Sequence, residues 1–517
     1  MIKSYAKKTF ILVSLGIAGI PGENIRRCHL LFHHIPPSIC PMNKNRAIQQ
    51  AYLNGKFIKG RKTFDVVNPA TGDSIAAVAD LTVADCKKAI NHAYEAWAAW
   101  RDTEAAKRSN TVRKWYDLIK ASKQDFARIM TMESGKPLAE SLAEVDYGAS
   151  FVEWFAEEAK RAYGETIPTS KTGQRLVTIR QPIGVVAAVT PWNFPLAMIT
   201  RKVAPALACG CTVILRPASQ TPLTALKLAK LAHEAGFPAG VFNVITGKDS
   251  KGMGEELATN EQVRKISFTG STEVGRALMV HAAATIKKVS LELGGNAPFL
   301  VFDDADIDAA VTGALVAKFR NSGQTCVAVN RFFVQDKIFD SFAKKLTTAV
   351  KKLKVGNGLD EGVQVGPLIN KNGLDKVNAH VTDAIAHGAK LLTGGKAKNG
   401  LFYRPTVLAD VSLSSLIARE ETFGPVCALF RFQTEDEGIA MANDTEFGLA
   451  SYFYSTDVNR CWRVSERLEA GMVGINTGLV SNAVAPFGGI KQSGIGREGS
   501  KHGLDEYTEI KYLCFSE

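Results

Sequence analysis

The sequence has no paired cysteine motif, no long basic tract, no internal repeat and no apolar run of membrane-spanning length. Each absence removes a class of function. Nine cysteines, an odd number, are scattered at Cys28, Cys40, Cys86, Cys209, Cys211, Cys326, Cys427, Cys461 and Cys514 without a CxxC pair. Neither a disulfide scaffold nor a zinc site is indicated, and the body of the chain reads as cytoplasmic, in a reducing compartment. The histidines show no ligand spacing, so no metal is expected. A formal charge of +12 would suggest nucleic acid if it were clustered, but Lys and Arg are interspersed with acids. The apolar run from Phe10 to Ile20 falls short of the ~20 residues that a spanning helix needs. Neither nucleic acid nor a membrane is expected as a partner.

Residues 1–41 stand apart, with Lys3, Lys7, Lys8, Arg26 and Arg27 against only Glu23. Their His33-His34-Ile35-Pro36-Pro37 stretch has no amphipathic period, which fits poorly with a transit peptide. The favoured expectation is a non-native extension upstream of Met42. A targeting presequence, implying a mitochondrial destination, is the runner-up.

What is present is a long chain of 517 residues, 46% hydrophobic, which calls for two or three domains with large cores. A first strand is expected at 51–58, and apolar residues at three- and four-residue steps predict helices at 84–100, 104–132 and 138–161. From Ile183 onward, short apolar runs at 184–189, 212–215, 241–245, 265–268 and 289–291 alternate with helical stretches. Five strands with four crossovers imply a doubly wound parallel sheet of the nucleotide-binding kind, with ligands beyond the carboxyl ends of its strands. A second α/β pass follows, with strands at 298–301 and 331–334, helices at 307–319 and 339–353, and alternation to about Met472.

Glu292 in Leu291-Glu292-Leu293-Gly294-Gly295-Asn296 and Cys326 in Gly323-Gln324-Thr325-Cys326 lie 34 residues apart, near the junction of these two passes. A thiolate attacks carbonyl carbon, and a carboxylate activates the water that releases the captured acyl group. Alone the pair is weak, because a cysteine is more often a small buried hydrophobe. Both segments, however, resemble the nucleophile and general-base motifs of the aldehyde dehydrogenase superfamily. Pro191-Trp192-Asn193-Phe194-Pro195, Phe268-Thr269-Gly270-Ser271-Thr272, Glu420-Glu421-Thr422-Phe423-Gly424-Pro425 and Pro486-Phe487-Gly488-Gly489 match further segments in family order.

The resemblance runs from about Leu53 to near the C-terminus and implies an α/β aldehyde dehydrogenase-like fold. Residues 42–160 and 183–294 are expected to form the cofactor-binding domain and 295–490 the catalytic domain. The elements at 161–182 and 491–517 should supply a small oligomerisation sheet, with strands at 175–180 and 508–513, in a homo-oligomer, tetramer or dimer.

The resemblance also assigns roles. Cys326 is the nucleophile, Glu292 the base and Asn193 the oxyanion donor together with the Cys326 N–H. Cofactor contacts fall on Trp192, Asn193, Arg216, Pro217, Ala218, Ser219, Gly270, Ser271, Gly275, Leu293, Glu421 and Phe423. The glycine turn Gly270-Ser271-Thr272-Glu273-Val274-Gly275 lacks the GxGxxG pattern, yet it joins a strand end to a helix start that can hold a pyrophosphate. Ser219 stands where NAD-preferring members often carry glutamate, and Arg216 where the family usually has lysine. NADP is therefore expected, with NAD use possible.

Arg201, Arg320 and Ser481 resemble the carboxylate grip of the succinate-semialdehyde dehydrogenase branch, although from spacing alone they read as surface salt-bridge residues. Succinate semialdehyde, an intermediate of 4-aminobutyrate breakdown, is the leading small-molecule substrate. Glutarate semialdehyde competes, because one methylene changes pocket affinity little. Ala328 stands where some branch members have a second cysteine, so no disulfide switch is expected. A thioester hydrolase or a non-catalytic binding protein on the same fold are the readings from other classes.

Overall fold

The computed structural model describes residues 48–516, and the expected extension or presequence at 1–41 lies outside them. The five expected strands pair in parallel in the order Lys288–Glu292, Val263–Thr269, Val185–Val189, Thr212–Arg216 and Phe242–Val244. Antiparallel strands extend both edges of this sheet. Gly494–Ile495, from the segment assigned to the oligomerisation element, pairs with Lys288–Glu292 instead, and Ala51–Leu53 with Lys56–Ile58 close the far edge. The single strand expected at 51–58 is thus a hairpin. Asn54 at φ 48° and Gly55 at φ 74° make its turn, the Asn-Gly chemistry that tight hairpins favour.

Strand residues alternate between two cores. Val186, Ala188, Val213 and Leu215 join the helices on one face, while Val185, Ala187 and Ile214 enter the cluster on the other. The helices that cover these faces begin with Val83–Arg101, opened by Thr82 and Asp85 in a reciprocal capping box. The helix expected over 104–132 is two, Ala105–Ala121 and Lys123–Ser134. Apolar spacing continues across the break, so the pattern conceals it. At Ser122 the amide reaches both Leu118 O and Ile119 O, and the changed axis lets Trp115 and Ile119 share a core with Phe126 and Met130.

The second sheet has seven strands in the order Lys390–Thr393, Thr406–Ala409, Val426–Phe432, Val329–Gln335, Ala297–Val301, Ala450–Tyr454 and Met472–Ile475, with only the first antiparallel. Its helix after Val329–Gln335 starts at Asp336 and ends at Val350, three residues earlier at each end than its periodicity suggests. Thr508–Ser516 runs antiparallel along the whole of Gln174–Pro182, and Thr166–Ile167 completes this third sheet. Among the described residues no helix is long and apolar enough to cross a membrane.

Candidate active site

The segment leading to Cys326 is built on backbone strain. After the helix Ile307–Phe319 the chain enters a tight turn in which Asn321 (φ 50°), Ser322 (φ 56°) and Gly323 (φ 76°) are consecutively left-handed. Left-handed backbone at the two non-glycine residues costs about 1–3 kcal/mol each unless the surroundings enforce it. The surroundings do so here. The Asn321 N–H donates to Glu140 Oε2 at 2.6 Å, Ser322 Oγ to Gly366 O at 3.0 Å, and Gln324 Nε2 to Pro367 O at 3.3 Å while its Oε1 accepts from Ile369 N at 2.9 Å. The strained turn presents Cys326, partly exposed, to a cleft.

Asn193 meets the same turn from the cofactor sheet. Its Nδ2 donates to Gln324 O at 3.1 Å, and its own carbonyl accepts from Asn321 Nδ2 at 3.0 Å and from Lys136 Nζ at 2.6 Å. Lys136 is fully buried and ion-paired with Glu144, whose other oxygen accepts from Leu196 N and Ala197 N at the start of the helix Ala197–Cys209. Sequence reasoning passed over both residues, although a lysine between Gly135 and Pro137 was the available signal. Lys136→Met leaves the Glu144 charge buried without its cation, so guanidinium unfolding should show a loss of about 3–5 kcal/mol together with a fall in kcat as Asn193 loses its anchor. A loss below about 1 kcal/mol would refute the role given to the pair.

The two catalytic motifs touch through backbone. Gly295 packs on Cys326 so closely that a Cβ there would overlap the Cys326 carbonyl. Glu292, the last residue of its strand, is 2% exposed, and neither carboxylate oxygen has a hydrogen-bond partner in the protein. It lies behind the cleft, so close to the Pro-Phe-Gly-Gly turn that a Cβ on Gly488 would come within 2.9 Å of Oε1. Burial, then the nearby Glu498, raise its pKa well above the ordinary carboxylate range against the pull of Arg201, Lys202 and Arg497. Burial likewise pushes the Cys326 thiol up to about 12, with Arg201 and Arg320 opposing.

Seven of the expected cofactor residues line one cleft with Cys326: Trp192, Asn193, Gly270, Ser271, Leu293, Glu421 and Phe423. Ser271 caps the helix Thr272–Ala283 through its hydroxyl, which leaves an N-terminus facing this space. Trp192 and Phe423 meet edge to face at 5.6 Å. Glu421 accepts from Gly295 N at 3.2 Å, and burial raises its pKa to about 7. Gly275 lies beneath the cleft, where a Cβ would overlap Leu293.

Arg216 ends the strand Thr212–Arg216, Pro217, Ala218 and Ser219 follow it, and all four lie outside the residues that line this cleft. Arg216 is not an open fork: its Nη2 donates to Gly247 O at 3.3 Å and Ser250 Oγ at 2.6 Å, and the side chain is 6% exposed. That burial depends on the loop at Gly247–Ser250, which the local sequence does not reveal.

On the other side of Cys326 a narrow pocket gathers Arg201, Arg320 and Ser481. Arg201 is 1% exposed and ion-paired through Nε with Glu498, while Nη1 and Nη2 have no acceptor in the protein. Phe194, Phe487 and Tyr147 form the walls, with Arg201 over the Phe487 ring at 4.4 Å and Arg320 over Phe194 at 5.2 Å. These three aromatics were missed, though Phe194 and Phe487 sit inside quoted motifs. Among the described residues no group of three His, Cys, Asp or Glu is placed to hold a metal ion.

A thiol between a cleft lined by Trp192, Ser271, Glu421 and Phe423 and a cationic pocket suits covalent aldehyde chemistry, and a family model described as the aldehyde dehydrogenase family matches residues 57–513. The chain belongs to the aldehyde dehydrogenase family. A glutarate-semialdehyde dehydrogenase of Pseudomonas putida is 59% identical over 470 residues, 90% of this chain and 98% of that protein. The succinate-semialdehyde dehydrogenase (NADP+) of Escherichia coli is 57% identical over 470 residues, 90% and 97% of the two chains. A crystal structure of an E. coli NADP-dependent enzyme superimposes with a TM-score of 0.90 at 56% identity, over 92% of this chain and 100% of that one. Aldehyde dehydrogenases use NAD or NADP, and the cleft beside Cys326 fits such a cofactor. It offers a helix N-terminus able to hold a phosphate, an aromatic pair able to flank a planar ring, and a carboxylate with one oxygen not engaged by Gly295 N.

Proposed function

We propose that the protein oxidises succinate semialdehyde to succinate with NADP, NAD being usable, as a cytoplasmic homo-oligomer. The unpartnered, buried Nη1 and Nη2 of Arg201 carry this reading, because a guanidinium that meets Glu498 only through Nε leaves two dry donor groups in need of an acceptor beside the thiol. A carboxylate at the far end of an aldehyde supplies that anion, and Arg320 and Ser481 close on it.

With the far end anchored, the carbonyl carbon lies against Cys326. The Cys326 thiol gives up its proton to solvent, the thiolate adds to the carbon, and the oxyanion that forms accepts from Asn193 Nδ2 and the Cys326 N–H. A dinucleotide held by Trp192, Ser271, Glu421 and Phe423 would supply the hydride acceptor through which the adduct becomes a thioester. Glu292, whose carboxylate no protein hydrogen bond holds, takes a proton from water so that hydroxide attacks the thioester and releases the carboxylate product. Lys202 and Glu498, ion-paired beside Arg201, keep charge balanced around that base.

NADP preference rests on Ser219 more than on Arg216, since the serine brings no carboxylate to repel a 2′-phosphate. Initial rates with succinate semialdehyde, glutarate semialdehyde and a neutral aldehyde, each with NADP and NAD, test the reading. Succinate semialdehyde with NADP should give the highest kcat/KM. Ser219→Glu should lower kcat/KM for NADP by about 100-fold and leave NAD within about threefold, because a like charge against the phosphate costs several kcal/mol. An equal effect on both cofactors would place the adenosine ribose elsewhere.

A further inference from the structure

His380, on the helix Lys371–Ala386, is a buried titratable residue that the mechanism above does not use. It is 2% exposed, and its ring reaches the loop that carries Glu421 and Phe423. Nδ1 lies 3.2 Å from Thr422 Oγ1 and Nε2 3.4 Å from Glu420 Oε2, so the two contacts fall on the residues immediately before and after Glu421. The same helix presses Val377 against Gly424, where a Cβ would overlap the valine side chain. Between these contacts Phe423 is held at φ 53°, a left-handed conformation that an aromatic residue rarely keeps without support.

We propose that His380 is a positioning residue for the cofactor site: its two ring nitrogens clasp the neighbours of Glu421 and so hold that carboxylate, with the Phe423 ring beyond it, at the nicotinamide-ribose end of the cleft. The inference rests on the cofactor reading given above. Burial, followed by Lys376, holds His380 below the ordinary imidazole range, while Glu420 and Asp383 oppose. Lys376, Glu420 and Asp383 are the charged groups that act most strongly on the ring. Lys376 lies 3.8 Å from Glu420, and Asp383 accepts from Leu416 N at 2.7 Å. A neutral ring has one donor and one acceptor, and the Glu420 carboxylate can only accept. Nε2–H therefore donates to Glu420, and Nδ1 accepts the Thr422 hydroxyl. In this tautomer the imidazole satisfies both sides of the loop without a buried net charge.

The test is equilibrium binding of NADP and NADPH, followed by fluorescence, in the full chain carrying His380→Phe, His380→Asn or His380→Gln, with Glu421→Gln alongside. Asparagine keeps the Nδ1-side contact and glutamine the Nε2-side contact. His380→Phe should weaken both ligands at least tenfold, the two amide variants should fall between it and the parent, and alkylation of Cys326 by iodoacetamide without cofactor should stay within twofold in all three. Binding unchanged in His380→Phe while Glu421→Gln weakens it would overturn the inference and leave the cofactor site standing. Unchanged binding in Glu421→Gln as well would remove both. If Cys326 alkylation and thermal stability change in parallel with binding in all three His380 variants, the role is structural and the proposal fails.

Discussion

Cys326→Ala is expected to abolish aldehyde oxidation, with kcat/KM for succinate semialdehyde down by at least ~10⁴-fold, while NADP affinity stays within about threefold. The separation follows from geometry. The thiol lies on the wall shared by the cofactor cleft and the cationic pocket, and removing one sulfur from that wall leaves the Trp192, Phe423 and Glu421 contacts in place. The parent enzyme carries a second signature in its pH dependence. A thiol pushed up to about 12 by burial is almost wholly protonated at neutral pH, and below its pKa the thiolate fraction rises tenfold per pH unit. Alkylation by iodoacetamide in the absence of cofactor should therefore climb about tenfold per unit from pH 6.5 to 9.5 without a plateau. A plateau near pH 9 would show an ordinary thiol and contradict the burial argument. A Cys326→Ala enzyme that still reduces NADP would assign the nucleophile to another residue.

The line between what was readable in the sequence and what was not follows how far each contact reaches along the chain. Cys326, Asn193, Glu421 and Phe423 stand in short segments whose neighbours perform local work, and the structure gathers them into one cleft. The alternation of Val185, Val186, Ala187 and Ala188 between two cores is a period-two property and was equally open to inspection. Lys136 and Glu144 were not, because two common charged residues eight positions apart form a fully buried ion pair whose meaning comes from Asn193, 57 positions beyond Lys136. His380 is a single imidazole on an amphipathic helix, and only tertiary packing gives it Glu420 and Thr422. Arg216 shows the same limit: the sequence places an arginine where the family usually has lysine, and only the fold reveals that its Nη2 donates to Gly247 O and Ser250 Oγ. The Asn54-Gly55 turn was legible and was read through as a strand, since apolar residues continue on both sides of it.

Arg201→Leu should divide substrates by charge. For succinate semialdehyde kcat/KM is expected to fall by ~10³-fold or more, because the variant loses a buried charge-assisted contact worth about 3–5 kcal/mol and leaves the substrate carboxylate facing an apolar wall. A neutral aldehyde of similar length should lose far less, since it forfeits only the help that Arg201 gives to ionisation of Cys326 and Glu292 and no carboxylate contact. Arg201→Lys restores the charge without the planar fork and should recover part of the loss. Arg320→Ala should cost less than Arg201→Leu. Arg320 is partly exposed and lies over Phe194, so solvent screens what it contributes, whereas Arg201 is sealed between Phe487 and Glu498. The same pocket sets the choice between the four- and five-carbon semialdehydes. Fixed walls at Cys326 and Arg201 define one length, and Met198, an adaptable side chain that lines the same pocket, is the place where an extra methylene can be accommodated. Met198→Ala should raise the glutarate to succinate semialdehyde ratio of kcat/KM by about tenfold, the scale of one methylene in an apolar pocket. Equal losses for charged and neutral aldehydes in Arg201→Leu would make Arg201 part of the framework that balances Glu498, and the argument for a dicarboxylate semialdehyde would then fall while the aldehyde chemistry at Cys326 stands.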